Sequence, residues 1–278
     1  MLRKPIVNGS FYPNNSLKLK EIIGRMASNA DKKEIKGAVL PHAGYIYSGK
    51  TAVKTVEEIL PKKRVVILGT NHTGKGKPFS VYPKGEWQTP LGNIEIDKDL
   101  SSEIVRRGIL EADTQAHIFE HSIEVEIPIL QFFFKDFELI PIVCSNSELA
   151  AYKDVAKEIH SALQRKGVLE ETCVFASSDM THYEPQQQAL KKDKEVIEEI
   201  LKLNTYEFLE RIKENHVSMC GTAPVAVLME IMNLSGNVQA RLADYTTSGE
   251  TNKDYSSVVG YAGILFEKES TLMRQDGQ

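Results

Sequence analysis

Three of the seven histidines, His42, His72 and His182, come directly after short apolar runs. The runs are Gly37-Ala38-Val39-Leu40, Arg64-Val65-Val66-Ile67-Leu68-Gly69 and Cys173-Val174-Phe175-Ala176-Ser177. Runs of this length read as buried strands. Pro41 cannot donate to a sheet ladder, so the first strand stops there and His42 sits just past its carboxyl end. In open α/β sheets, ligands bind outside the carboxyl ends of the strands. Three histidines at the same end of successive strands therefore address one crevice. Neutral imidazole is the commonest protein metal ligand, and ligands from separate strand ends make open sites. Gly44, two residues after His42, leaves room for close backbone approach and, if His42 binds a ligand, reads as clearance for it.

Cys220 is a fourth candidate. It lies in Val217-Ser218-Met219-Cys220-Gly221, ahead of an apolar helical pattern. A helix N-terminus favours the thiolate, which would make Cys220 a ligand or a nucleophile. A buried small hydrophobe is the other reading, and it suits Cys144 and Cys173, which fall inside strand runs. Asp179 stands three residues before His182 and could fix the tautomer of that imidazole. It could equally cap the next helix. In Glu120-His121-Ser122-Ile123-Glu124, His121 and Glu124 lie one helical turn apart. They could support a metal ligand or serve as acid and base, or simply form a solvated helix start. His117, His160 and His216 have charged or polar neighbours and read as surface residues. The glycines of Thr70-Asn71-His72-Thr73-Gly74-Lys75-Gly76 do not have the phosphate-loop spacing, and there is no serine elbow.

The elements that must position these residues alternate between strand and helix. Pro5 to Pro13 reads as an irregular arm. Ser16 caps a helix to about Met26, and a second helix runs from Lys50 to Leu60. It joins the strand before His42 to the strand before His72, which predicts parallel neighbours with a right-handed crossover. Pro78 to Asp97 reads as short hairpins. A helix starting at Asp99 or Ser101 runs to about Arg107, and an apolar helix covers Ser122 to Phe134. A strand follows over 137–143, then a helix over 149–165, the strand before His182, and helices over 186–202, 205–214 and 222–232. Strands over 238–246 and 257–266 close the chain as an antiparallel pair. With no dividing linker, residues 1–278 read as one α/β domain with a mixed, mostly parallel sheet flanked by helices.

The chain has 278 residues and a net charge of -4, which suits neither nucleic acid nor an anionic membrane. It holds no run of about 18 apolar residues, so no membrane helix is expected. An apolar signal core is lacking near the N-terminus, and three scattered cysteines make no disulfide framework. A reducing cytoplasm is the expected location. The polar stretch 267–278 is expected to fray.

Taken in order, Pro41-His42-Ala43-Gly44-Tyr45 with Ser48-Gly49, Asn71-His72, Trp87-Gln88-Thr89-Pro90-Leu91-Gly92, Glu120-His121-Ser122-Ile123-Glu124, Ser177-Ser178-Asp179-Met180-Thr181-His182 and Cys220-Gly221 resemble the Memo family. Prokaryotic members are called AmmeMemoRadiSam system protein B. The resemblance runs from about Arg3 to Phe266. It implies the fold of class III extradiol ring-cleaving dioxygenases. It also implies an iron (Fe2+) or copper site at His42, His72 and Cys220, with Asp179 and His182 close by. His182 matches the dioxygenase acid/base. Those enzymes use two histidines and a carboxylate, whereas Cys220 stands where the carboxylate is expected. Thiolate shifts preference toward Cu(I), zinc or thiolate-bound iron. The expected activity is that of a metal-dependent oxidoreductase acting on a small molecule or peptide in the crevice. The alternatives are a non-catalytic module binding a peptide or phosphopeptide, and a zinc hydrolase. A radical-SAM protein is the partner that the family name suggests.

Overall fold

The computed structural model describes residues 1–106 and 108–269. Its main sheet has nine strands. We number them along the chain: β1 Ile35–Leu40, β2 Arg64–Thr70, β3 Phe79–Val81, β4 Glu111–Ala112, β5 Glu138–Cys144, β6 Thr172–Ser177, β7 His182–Glu184, β8 Val238–Thr247 and β9 Val258–Lys268. The spatial order is β7-β9-β1-β6-β2-β5-β3-β4, with β8 along β9. At the centre, β1, β6, β2 and β5 are parallel neighbours. The antiparallel strands β9 and β3 flank them.

The strands leading to His42 and His72 are thus not neighbours, as the order along the chain suggested. β6 inserts between them, pairing Val39 with Ala176 on one side and Leu68 with Ala176 on the other. The three strands ahead of His42, Asp179 and His72 consequently stand side by side.

Both faces of the sheet are covered, and the inner strands are mostly apolar, with their charged residues near the strand starts, as suits a doubly buried sheet. Val66, Leu68, Ile140, Ile142, Val174 and Ala176 point to one face, with helices 149–166, 186–201, 205–214 and 222–235. Val65, Ile67, Leu139, Val143, Cys173 and Phe175 point to the other, with helices 16–26, 49–57 and 127–134. Trp87 belongs to that second face, in a small sheet of Leu2–Arg3, Glu86–Thr89 and Gly92–Glu95.

Several boundaries shift for local reasons. Asn15, not Ser16, caps the first helix, accepting from the Lys18 N–H. Asp97 caps the helix Lys98–Ile104 in the same way; position 107 lies outside the described residues. The apolar helix starts at Ile127 rather than Ser122. Pro128 lacks an N–H and belongs in a first turn, where none is needed. Residues 122–126 form turns instead, and this matters for the site. At the C-terminal end, Glu267 and Lys268 continue β9 rather than fray; positions 270–278 lie outside the described residues.

The N-terminal arm is pinned by one buried carboxylate. Glu124 accepts from Arg3 Nη1 at 2.8 Å, from the Ile6 and Val7 N–H groups, and from the Tyr12 hydroxyl. Arg3 in turn donates to the carbonyls of His117 and Glu120 and lies over the Trp87 ring. Removing one partner of such a pair strands the other charge away from water. Glu124→Ala is expected to cost about 3–5 kcal/mol, read as a lower midpoint in denaturant unfolding, with faster proteolysis of the arm.

Candidate metal centre

The loops after β1 and β2 and the turn before helix 222–235 bring His42, His72 and Cys220 together. Their candidate ligand atoms all lie within 4.8 Å of one another. Cys220 Sγ is 3.3 Å from His42 Nε2. Metal–donor bonds of about 2.0–2.3 Å place the ligands of one ion somewhat closer than that limit. Binding one ion would require small side-chain movements to close the difference. A glycine allows the cysteine in: a Cβ on Gly221 would collide with the Ser178 side chain, whose hydroxyl accepts from the Gly221 N–H.

Each imidazole is held from behind. His72 Nδ1 is 2.9 Å from Glu120 Oε1. Glu120 also accepts backbone N–H groups from His72, His121 and Ser122. Its exposure is 1%, and burial alone would raise its pKa. The bond and charge of His72 and the backbone donors win, and hold it near 2. His42 Nδ1 lies 2.9 Å from Ser177 Oγ. Burial, followed by the nearby His121 and His72, keeps His42 well below the usual histidine range, so its ring is neutral. Both rings can thus present Nε2 to a metal, in the arrangement that histidine ligands need.

Gly69 serves the same assembly. A Cβ there would clash with Ile123 and with the Ser122 hydroxyl, which accepts from the Thr70 N–H. Turn 120–126 therefore lies tight against the end of β2 and delivers Glu120 to His72. Glu120, Ser177 and Glu126 are the site residues that spacing did not single out. Glu120 and Ser177 both lie within family-like motifs, but nothing in their spacing points to His72 or His42. The signal for Glu120 is weak, because the residue next to a histidine along a chain rarely supports a different one.

The remaining candidates sort as follows. His121 joins the cluster, its ring stacked on His72 at 4.8 Å and edge-on to His42 at 5.5 Å. Glu124 faces Arg3 and the arm rather than His121, because residues 122–126 are not helical. Asp179 is next to the centre but does not orient His182. Its Oδ1 accepts the His42 N–H at 2.9 Å, which fixes the backbone of the His42 loop. Burial pushes its pKa up to about 7 against the backbone donors of His42 and Ala43. His182 is aligned by Ser218 instead: its N–H donates to the Ser218 hydroxyl, and Nδ1 lies 2.9 Å from the Ser218 carbonyl. A carbonyl only accepts, so His182 carries its proton on Nδ1 and leaves Nε2 open.

Three further expectations change. The Cys220 thiol is raised, first by burial and then by the Asp179 charge, despite the helix that follows. Ligation would have to displace its proton. Gly44 is not empty clearance, since the Phe11 backbone lies beside it and Phe11 O accepts from Tyr45 N–H. His117 and His160 are buried rather than on the surface. His117 packs against Tyr82 and Trp87 and bonds Ser80, and burial lowers it to about 3. Only His216 of that trio is exposed.

The Memo-like protein family pattern matches residues 3–265. The chain belongs to the Memo family. It is 38% identical over 268 residues to a MEMO1 family protein of Aquifex aeolicus, a match covering 95% of this chain and 99% of that one. With a MEMO1 family protein of Desulfurococcus amylolyticus it shares 41% over 281 residues, covering 95% and 98%. Among solved structures, an uncharacterized Escherichia coli K12 protein has a similar fold. The TM-score is 0.52 at 13% identity, over 83% of this chain and 99% of that one. At that identity the likeness concerns the fold alone.

In this Memo chain, the depressed pKa of Glu120 makes a testable link to pH. The folded value near 2 lies below the ordinary 4.5 of the unfolded chain. The stabilisation is therefore complete above about pH 5 and is lost as the pH falls toward about 2. Metal-free wild type should lose stability across that window in denaturant titrations. Glu120→Gln should start less stable and show a shallower loss.

Proposed function

We propose that this protein holds one redox-active metal ion, iron(II) or copper, through His42 Nε2, His72 Nε2 and Cys220 Sγ, and works as a dioxygenase-like oxidoreductase. The observation that carries this reading is the convergence of two backed imidazoles, from the ends of two parallel strands on either side of β6, with a thiol from the turn before helix 222–235. When bound, the metal supplies Lewis-acid and redox chemistry with coordination positions left for substrate.

The chain's own residues supply the rest. Glu120 and Ser177 aim the two imidazoles. Asp179 fixes the turn on which His42 sits. His182, protonated on Nδ1 against Ser218, offers Nε2 as the acid/base for a small molecule in the crevice. His72 is exposed and His121 half-buried while His42 is 2% exposed, so the centre is open on one side and closed behind. No helix among the described residues is long and apolar enough to cross a membrane.

Metal analysis after oxygen-free purification tests the proposal. Wild type should carry about one equivalent of iron or copper, and His72→Ala and Cys220→Ala should lose most of it while staying folded. Absence of any tight iron or copper from an intact site would refute it. Zinc at full occupancy would instead favour the hydrolase, because two nitrogens and one sulfur also suit zinc with an activated water. A pull-down against the radical-SAM protein tests the proposed partner.

His182 yields a separate expectation. His182→Ala should retain the metal but lose roughly 10²–10⁴-fold in turnover of any substrate found. Retained turnover would remove it from the acid/base role.

A further inference from the structure

The Ser177 hydroxyl sits behind His42 and has three partners. Its Oγ lies 2.7 Å from the Ser122 carbonyl oxygen, 2.9 Å from Glu126 Oε1 and 2.9 Å from His42 Nδ1. A serine hydroxyl has one proton to give and two lone pairs to fill. The Ser122 carbonyl can only accept, so the proton goes there. The other two partners must then both donate. For His42 the donor is Nδ1–H. For Glu126 it is the O–H of a carboxylic acid.

A second observation points the same way. Glu126 is fully buried, and its Oε2 has no hydrogen-bond partner. As a carboxylate it would leave a charged oxygen unpaired away from water, which is far more costly than an unpaired carbonyl. An ionised Glu126 would also have to take the Ser177 proton. Two sets of lone pairs would then face each other across the contact with Ser122. Burial raises the Glu126 carboxyl well above the usual range, and the Asp179 charge adds to it.

We propose that Glu126 is a neutral carboxylic acid which, with the Ser122 carbonyl, leaves Ser177 a single lone pair, making Ser177 the positioning residue that holds His42 as its Nδ1–H tautomer with Nε2 turned to Cys220. The use of this arrangement in metal binding rests on the metal-site reading above. The two imidazoles are then unequal donors. His72 is backed by an ionised carboxylate and His42 by a neutral chain of hydroxyl and acid.

The test needs no substrate. Metal-free protein with isotope-labelled histidine nitrogens is read by NMR at about pH 7, and the infrared spectrum is taken on the same sample. The expected results are an Nδ1–H tautomer at His42 and the carbonyl stretch of a protonated carboxylic acid that Glu126→Gln removes. Glutamine replaces O–H by N–H as the donor, so this variant should keep the tautomer and the affinity for Co2+, used as the metal probe. Ser177→Ala removes the acceptor and should give mixed tautomers at His42, with Co2+ affinity lower by about 10–100-fold. A proton on His42 Nε2 in wild type, or no acid band lost in Glu126→Gln, would overturn the proposal. Should Ser177→Ala fail to fold, the wild-type spectra and Glu126→Gln still decide. A correct tautomer in a wild type that binds no Co2+ would overturn the metal reading alone.

Discussion

Glu120 carries a charge where there is almost no water, and four N–H donors make that possible. Three of the donors are backbone groups, so the carboxylate fixes main chain as well as the His72 ring. It ties the loop after β2 to the turn at 120–122, two segments 48 residues apart. Arg3 donates to the Glu120 carbonyl, which extends the same constraint to the N-terminal arm. Were the carboxylate lost, the ring of His72, the approach of His121 and the seat of the arm would all loosen together. A buried charge is weak evidence for stability, because desolvation opposes its attractions. Its clear contribution here is geometric, since few alternative arrangements could satisfy it.

The sheet supplies the frame in which that geometry makes sense. Insertion of β6 between β1 and β2 sets three strand ends side by side. Asp179 on the middle one reaches the backbone of the His42 loop. Cys220 arrives from a different layer, at the turn leading into helix 222–235, and Gly221 makes room for it against Ser178. The site is thus built from turns held by the sheet and helices on three sides. Two buried glutamates stand behind it in opposite protonation states, one met by four donors and the other facing a hydroxyl that has no proton left to give.

The elements were legible in the sequence because their causes are local. Apolar runs of strand length, a proline that stops one of them, and helical periodicity over 149–166 and 186–201 each act within a few residues. The histidines at strand ends could be seen for the same reason. Boundaries near Asp97 and Ile127 moved because capping side chains and a first-turn proline decide them at single-residue scale. The burial of His117 is not legible in the sequence, because its chain neighbours are polar, while its spatial neighbours, Tyr82 and Trp87, come from 30 or more residues away.

The family motifs and the α/β class were set by the residues alone, as were His42, His72 and Cys220 as candidates. Their partners were not. Sequence spacing joined Asp179 to His182 and His121 to Glu124, whereas the structure joins Asp179 to His42, His182 to Ser218, and Glu124 to Arg3. Neighbours along the chain share a partner only where the backbone between them is regular, and at this site it is turns. Which proton each imidazole carries, and which carboxyl is charged, depends on donors converging from four separate segments. Only the tertiary structure could decide that, because hydrogen bonding and desolvation act across space and leave no period in the sequence.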